Sequence, residues 1–136
     1  LDVGSGTGIL SIAAIKLGAA EAVAVDNDER CYENCLENCE LNSVTTKVKI
    51  VKGEISDIKE DNFDLIIANI QKDVLLNIAD QIMQKLKPNG IAILSGLLEE
   101  DEKDIEQHYT ETGFETLEIK SMDEWIALAL KRKKYK

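Results

Sequence analysis

Short apolar runs alternate with amphipathic segments along the whole of the 136-residue chain. Seven runs have the length and composition of β-strands, at 1–3, 22–26, 47–52, 63–69, 90–95, 114–120 and 125–131. Segments with helical spacing lie between them, at 8–18, 29–41, 71–87 and 99–112. The runs at 63–69 and 90–95 are apolar almost throughout, which is typical of strands buried on both faces of a parallel sheet. The alternation predicts one α/β domain over residues 1–136, with a doubly wound, Rossmann-like sheet.

Three connections refine this prediction. About ten residues, "GEISDIKEDN", join the third strand to the fourth, so the helix in that crossover is expected to be short or missing. The last two strands are separated only by "SMDE", which is too short for a parallel crossover and predicts an antiparallel hairpin. "KPNG" at 87–90 predicts the end of the preceding helix at Pro88. The expected sheet is therefore seven-stranded and mostly parallel, and it ends in an antiparallel hairpin.

Composition and charge narrow the class of partner. The chain is 44% hydrophobic and carries a net charge of −10. Five of its 16 basic residues stand in the final "KRKKYK", which we interpret as a solvated tail, so the rest of the chain is more acidic still. Such a surface repels a phosphate backbone and tolerates a lysine-rich protein, so direct binding of nucleic acid is not expected. No apolar run approaches the roughly 20 residues that span a bilayer, and a cytoplasmic location is expected.

The three cysteines recur at every fourth position of one predicted helix. Cys31, Cys35 and Cys39 therefore share a helix face. Paired zinc ligands usually have two residues between them and come from separate loops, so this spacing does not predict a metal site. We interpret the cysteines as small buried or half-buried thiols, without a disulfide.

The opening "DVGSGTG" places glycines at positions 4, 6 and 8, directly after the first predicted strand. The dinucleotide fingerprint needs its third glycine three positions after the second, where this chain has Ile9. Gly4 and Gly6 allow a sharp turn and a close approach to a ligand. Gly8 opens a helix whose first N–H groups can bind an anionic or polar group. The segment predicts a ligand-binding loop that differs from the nicotinamide type.

Polar residues end the next predicted strands. Asp26 is expected beside the glycine loop, where a carboxylate accepts both hydrogen bonds of a ribose diol. Asn27 is expected near the sugar or base, and Asp28 is the better cap for the following helix. Glu54, after the third strand, is either a partner of the base or a solvated loop carboxylate.

Asn69 closes the apolar run "FDLIIAN" at the edge of the sheet where ligands bind. As a functional group, its amide oxygen would hold a substrate amine in line with a reactive methyl group. Alternatively, Asn69 is an ordinary residue of the turn that follows the strand.

Taken together, these motifs resemble class I S-adenosylmethionine-dependent methyltransferases, and among them the methyltransferases of ribosomal protein L11. The resemblance covers nearly the whole chain. It rests on "LDVGSGTGILSIAAIKLGA", "VDND", "ENCELN", "FDLIIANI", "LKPNGIAILSGLLEE" and "EWIALALKRK".

The resemblance implies S-adenosylmethionine as cofactor and a catalytic role for Asn69. The implied cofactor-binding residues are Asp2, Gly4, Ser5, Gly6, Gly8, Asp26, Asn27, Glu54 and Asn69. The implied reaction is direct methyl transfer to amino groups of a ribosomal protein, on lysine side chains or the α-amine. Methyltransferases of nucleobases and glutamine have Asn-Pro-Pro-Tyr where this chain has Asn69 and then "IQK", which favours alkyl amines.

Three other functions remain open: a methyltransferase of RNA or a small molecule, an NAD-dependent oxidoreductase, and a non-catalytic cofactor-binding module. The chain starts within the first strand, whereas the family has a recognition domain and a linker upstream. We therefore expect a piece of the family's catalytic domain.

Overall fold

The computed structural model describes residues 1–133, so the last three residues of the predicted tail lie outside the described part. The first two residues of this tail, Lys131 and Arg132, belong to the last strand and are half-buried, so the prediction of a solvated tail was wrong for them. The chain divides into two compact units, Leu1–Lys59 and a second unit that begins at Glu60. Each unit is described by itself below. The expectation of one domain over residues 1–136 stays a prediction.

The first unit is a three-stranded parallel sheet with two helices. Its elements are β1 (Asp2–Val3), α1 (Ile9–Lys16), β2 (Ala22–Asp26), α2 (Glu29–Leu41) and β3 (Val48–Lys52). The strands stand in the order β3-β2-β1, with Asp2 opposite Ala24 and Ala22 opposite Val48. The crossover after β3 holds only a 3-10 turn, Ile55–Asp57, which confirms the expectation of a short or missing helix.

A shared core holds the two helices on this sheet. Residues of α1, α2, β2 and β3 form one apolar cluster, made of Ile12, Ile15, Ala24, Cys35, Cys39, Val44 and Val48. Cys35 and Cys39 are buried and Cys31 is half-buried, so the interpretation of the cysteines as a core-facing stripe is confirmed. The start of α2 is also as predicted, because Asp28 caps it by accepting a 2.8 Å hydrogen bond from the Arg30 N–H.

The second unit has four strands and three helices. The elements are β4 (Phe63–Asn69), α3 (Lys72–Asn77), α4 (Ala79–Lys85), β5 (Leu86–Leu98), α5 (Glu102–Thr112), β6 (Phe114–Met122) and β7 (Trp125–Arg132). A 3-10 turn, Glu99–Asp101, precedes α5. The strands stand in the order β4-β5-β7-β6. β4 and β5 are parallel, and β7 is antiparallel to both β5 and β6, so the predicted terminal hairpin is confirmed.

The segment before β5 departs from the prediction. The expected helix over 71–87 is two helices, and strand β5 already begins at Leu86. Phe63 pairs with Leu86 whereas Leu65 pairs with Ile91, so the four residues "KPNG" form an irregularity inside the strand. Proline is tolerated at such a bulge because no ladder hydrogen bond needs its missing N–H. Pro88 therefore does not mark the end of the helix, and that prediction was wrong.

The seven strands, the alternating helices and the final antiparallel pair confirm the predicted α/β fold class. No helix in residues 1–133 has the length and apolar character that a membrane span requires.

Candidate functional site

The glycine loop runs from the end of β1 to the start of α1 and is tied to the end of β2. The N–H groups of Gly4 and Ser5 both donate to the Val25 carbonyl, at 2.8 and 3.0 Å. The Gly8 N–H donates back to the Ser5 carbonyl at 2.8 Å, which closes a turn within the loop. Ser5 is buried, so the loop lies against the unit rather than projecting from it.

Asp26 is held against this loop by its own carboxylate. Its Oδ2 accepts a 3.0 Å hydrogen bond from the Gly6 N–H, and its Oδ1 accepts one of 3.0 Å from the Asp28 N–H. The Gly53 N–H donates to the Asp26 main-chain carbonyl at 2.9 Å. Because each carboxylate oxygen has a second lone pair, the side chain is oriented and can still accept two donors from a ligand. This is the arrangement that recognition of a diol requires.

Asn27 follows Asp26 directly in the chain, and Glu54 stands in the loop after β3. Both are exposed. The Glu54 N–H donates to Asp57 Oδ2 at 2.8 Å, so Asp57 fixes the loop in which Glu54 stands. Glu54 is exposed, and its assignment to the base stays a prediction.

Asp2 is a buried acid below the loop, with an exposed fraction of only 3%. Its Oδ2 accepts a 2.8 Å hydrogen bond from the Ser11 hydroxyl, whereas its Oδ1 has no hydrogen-bond partner among the described residues. Burial raises the pKa of this carboxyl above its ordinary value. A buried acceptor without a donor is costly to the folded state.

Helix α2 contributes contacts that the sequence did not reveal. A Cβ on Gly8 would lie 2.5 Å from the Sγ of Cys35, and the Asn38 Nδ2 donates to the Thr7 carbonyl at 2.9 Å. Burial and the nearby charge of Asp26 raise the pKa of the Cys31 thiol. The four-residue spacing of the cysteines identified a helix face, but it carried no sign that this face meets the glycine loop.

In the second unit, Asn69 ends β4 and pairs with Ser95 of β5. It is exposed and lies on the wall of a groove of about 680 Å³. The surface of this groove is mostly apolar, although about half of its described lining residues are polar, with one lysine and no carboxylate: Asn69, Ile70, Gln71, Ser95, Gly96, Lys120, Ser121, Met122, Trp125, Ile126 and Ala127. The groove suits an alkyl chain better than a charged group.

Gly96 leaves the space that the side chain of Asn69 occupies at this groove. A Cβ on Gly96, whose φ is +78°, would lie 2.7 Å from the Asn69 Oδ1 and 3.2 Å from the Ile70 carbonyl oxygen. Only glycine leaves room for the amide there. The sequence pattern carries no sign of this role for Gly96, because the role depends on a contact with the neighbouring strand.

The chain matches a known family over nearly its whole length. The family model of ribosomal protein L11 methyltransferase (PrmA) matches residues 1–133. The ribosomal protein L11 methyltransferase of Acetivibrio thermocellus is 43% identical over 131 residues, and that of Fusobacterium nucleatum is 37% identical over 135 residues. These alignments cover 96% and 98% of this chain and 42% and 43% of the relatives. The chain thus spans about two fifths of the length of these relatives.

Solved structures agree with this match. The ribosomal protein L11 methylase of Lactobacillus delbrueckii subsp. bulgaricus is 36% identical, with a TM-score of 0.93 over 98% of this chain and 69% of that one. A methyltransferase of Pyrococcus furiosus, at 19% identity, shares the fold with a TM-score of 0.83 over 96% of this chain and 72% of that one. From the family model and the similar proteins together, the chain belongs to the ribosomal protein L11 methyltransferase family.

Proposed function

We propose that this chain binds S-adenosylmethionine and takes part in transferring its methyl group to amino groups of ribosomal protein L11. The observation that carries the proposal is the carboxylate of Asp26, which two backbone N–H groups hold beside a glycine loop at the end of β2. The similar proteins from several bacteria bear the name of this activity. Residues 1–136 act in this proposal as an S-adenosylmethionine-binding domain.

The residues of the first unit fit this cofactor in three respects. Asp26 retains lone pairs for the two hydroxyls of a ribose. The buried carboxylate of Asp2, below the loop, adds negative charge near the place that the proposal assigns to the ammonium group of methionine. A Cβ on Gly6 would meet no atom within 4 Å, so the loop leaves open space there, and Gly4, Ser5 and Gly8 complete it. Asn27 and Glu54 are assigned to the sugar and base. When bound, the cofactor supplies a methyl group activated by a positively charged sulfur.

The proposal assigns the substrate amine to Asn69. The Asn69 Oδ1 would accept a hydrogen bond from the amine and so orient its lone pair, while the apolar groove holds the alkyl chain. Positioning of this kind lowers a barrier by roughly 7–11 kcal/mol in the best intramolecular cases. No covalent intermediate with the protein is needed.

The amine must be uncharged to react, and a free lysine has a pKa of about 10.4. We propose that the proton leaves to solvent before the amine enters the groove, since no carboxylate stands among the described lining residues and Lys120 adds a positive charge. The rate should then rise steeply with pH without a protein-derived pKa near 7. A side-chain pKa near 7 in the profile of kcat/KM would contradict this step.

The acidic chain suits a lysine-rich ribosomal protein in the cytoplasm as its partner, rather than a nucleic acid. The test uses the natural polypeptide that carries this sequence, with S-adenosylmethionine labelled in its methyl group. Purified ribosomal protein L11 and ribosomal RNA are offered in parallel. We expect label in the protein, and none when Asp26 is replaced by Ala.

Two outcomes would overturn the proposal. Label in the RNA and none in the protein would indicate an RNA methyltransferase. Calorimetric titration that detects NAD binding but no S-adenosylmethionine binding would indicate the oxidoreductase class.

A further inference from the structure

One face of α2 meets three parts of the candidate cofactor site. Cys31, Cys35 and Asn38 lie on this face, at spacings of four and three residues that align side chains along a helix. Cys31 stands beside Asp26, Cys35 is adjacent to Gly8, and Asn38 is bonded to Thr7. The helix therefore contacts both the glycine loop and the acid that the proposed function assigns to the ribose.

The bond from Asn38 fixes one peptide group of the loop. The Asn38 Nδ2 donates to the Thr7 carbonyl at 2.9 Å, across 31 residues of sequence. The N–H of the same peptide group belongs to Gly8 and donates to the Ser5 carbonyl at 2.8 Å. The peptide group between Thr7 and Gly8 is thus held at both ends, and Asn38 provides the only one of these two bonds that comes from outside the loop.

Cys35 sets how closely the helix approaches. Its side chain is fully buried, and the Cα of Gly8 is so near that a methyl group there would overlap the Sγ. On the other side, the Gly6 N–H is bonded to Asp26 Oδ2. Residues 6–8 are therefore held between Asp26 and α2, with Asn38 as the hydrogen-bond donor on the α2 side.

We propose that Asn38 is a positioning residue for the cofactor: through its bond to the Thr7 carbonyl, it keeps the glycine loop in the shape that binds S-adenosylmethionine. This proposal rests on the proposed function and deepens it. Asn38 is not assigned any contact with the cofactor itself. Its loss should weaken cofactor binding without slowing transfer once the site is saturated.

Two substitutions remove the bond to Thr7 in different ways. Asn38→Ser shortens the side chain so that its hydroxyl falls short of the Thr7 carbonyl, and Asn38→Asp keeps the shape but turns an acceptor toward that carbonyl. Asn42→Ala is a matched control, because the Asn42 Nδ2 also donates to a main-chain carbonyl, that of Asn38 at 2.8 Å, but has no bond to the loop. All three are measured by calorimetric titration with S-adenosylmethionine, by kinetics in the natural polypeptide and by thermal unfolding without ligand.

For Asn38→Ser we expect a Kd and a KM for S-adenosylmethionine about 3- to 10-fold higher, as loss of one neutral hydrogen bond implies, with kcat unchanged. Asn38→Asp should weaken binding further, because two acceptors then face each other. Asn42→Ala should lower the unfolding midpoint about as much as Asn38→Ser, with an unchanged Kd.

The inference is overturned if Asn38→Ser and Asn38→Asp bind S-adenosylmethionine as tightly as the unsubstituted chain, or if Asn42→Ala weakens binding equally. A fall in kcat with an unchanged KM would also contradict it. Failure of the unsubstituted chain to bind S-adenosylmethionine would instead count against the proposed function, so the two proposals fail in distinguishable ways.

Discussion

Replacing Gly8 by alanine tests how tightly the glycine loop packs on α2. Gly8 precedes α1 with a φ of +83°, in the left-handed region that favours glycine. The added methyl group would also lie 2.5 Å from the Sγ of Cys35, whose exposed fraction is 0%. Gly8→Ala therefore combines a backbone cost, from the left-handed φ, with a packing cost, from the contact with Cys35. A separate control variant tests each of these costs.

The left-handed conformation costs alanine about 1–2 kcal/mol. Overpacking against a buried side chain typically adds about 1–3 kcal/mol. Gly8→Ala should therefore lower the free energy of unfolding by roughly 2–5 kcal/mol. Gly6→Ala carries only the first cost, because φ is +55° there and the methyl group would meet no atom within 4 Å. Truncating Cys35 to alanine should relieve the second cost and leave the first.

Urea unfolding without ligand measures these differences, read from the transition midpoint at unchanged m-value. A double-mutant cycle is formed by Gly8→Ala, Cys35→Ala and the double variant. We expect the double variant to be about 1–3 kcal/mol more stable than the sum of the two single losses predicts. The reasoning is refuted if Gly8→Ala destabilises no more than Gly6→Ala, or if the cycle shows no coupling.

Three further substitutions test other parts of the site. Asp26→Ala should weaken S-adenosylmethionine binding at least about 100-fold, because two hydrogen bonds to a charged group are lost. Asp28→Ala is the control: loss of this helix cap should lower the free energy of unfolding by about 1 kcal/mol and leave the Kd unchanged. Equal losses of binding would contradict the assignment of Asp26. Gly96→Ala, at a φ of +78°, should displace the Asn69 amide and reduce methyl transfer to ribosomal protein L11. Full activity would show that Asn69 need not occupy this position. Asp2→Asn should raise the free energy of unfolding at pH 7 and weaken cofactor binding. Because the pKa of Asp2 is raised in the folded chain, the unfolded chain loses the Asp2 proton at a lower pH, near 3.8. The free energy of unfolding therefore falls as the pH rises from about 3.8 to the raised pKa. The gain from Asn should vanish near pH 3, where Asp2 is protonated in both states, as measured by urea titration.

The parts of the fold that the sequence predicted well are those with a purely local cause. Strands 22–26 and 63–69 and helix 29–41 have the predicted bounds, because an unbroken apolar run or a cap such as Asp28 defines them locally. The prediction from Pro88 was wrong because a proline, which lacks an N–H, is accepted both in a turn that ends a helix and in a bulged strand. Which of the two forms depends on Phe63 pairing with Leu86, a contact that the local pattern does not encode.

The same distinction applies to the site. Asp26 and the glycine loop were found because each follows a strand end, where the architecture itself brings residues together. Asn38 and Gly96 were missed because their roles depend on one contact each, with Thr7 and Asn69, between residues far apart in sequence. Only the register of elements packed against each other creates those contacts.

The wall of the groove beside Asn69 also contains the chain's single tryptophan, Trp125, whose exposed fraction is 51%. Indole emission depends on contact with water, so an alkyl side chain that enters the groove should shift the emission of Trp125 to shorter wavelength. Trp125 is the one indole in residues 1–136, so a shift that is lost when it is replaced by Phe comes from this groove. Lysine-containing peptides can therefore be ranked by direct fluorescence titration, without an attached dye and without waiting for turnover.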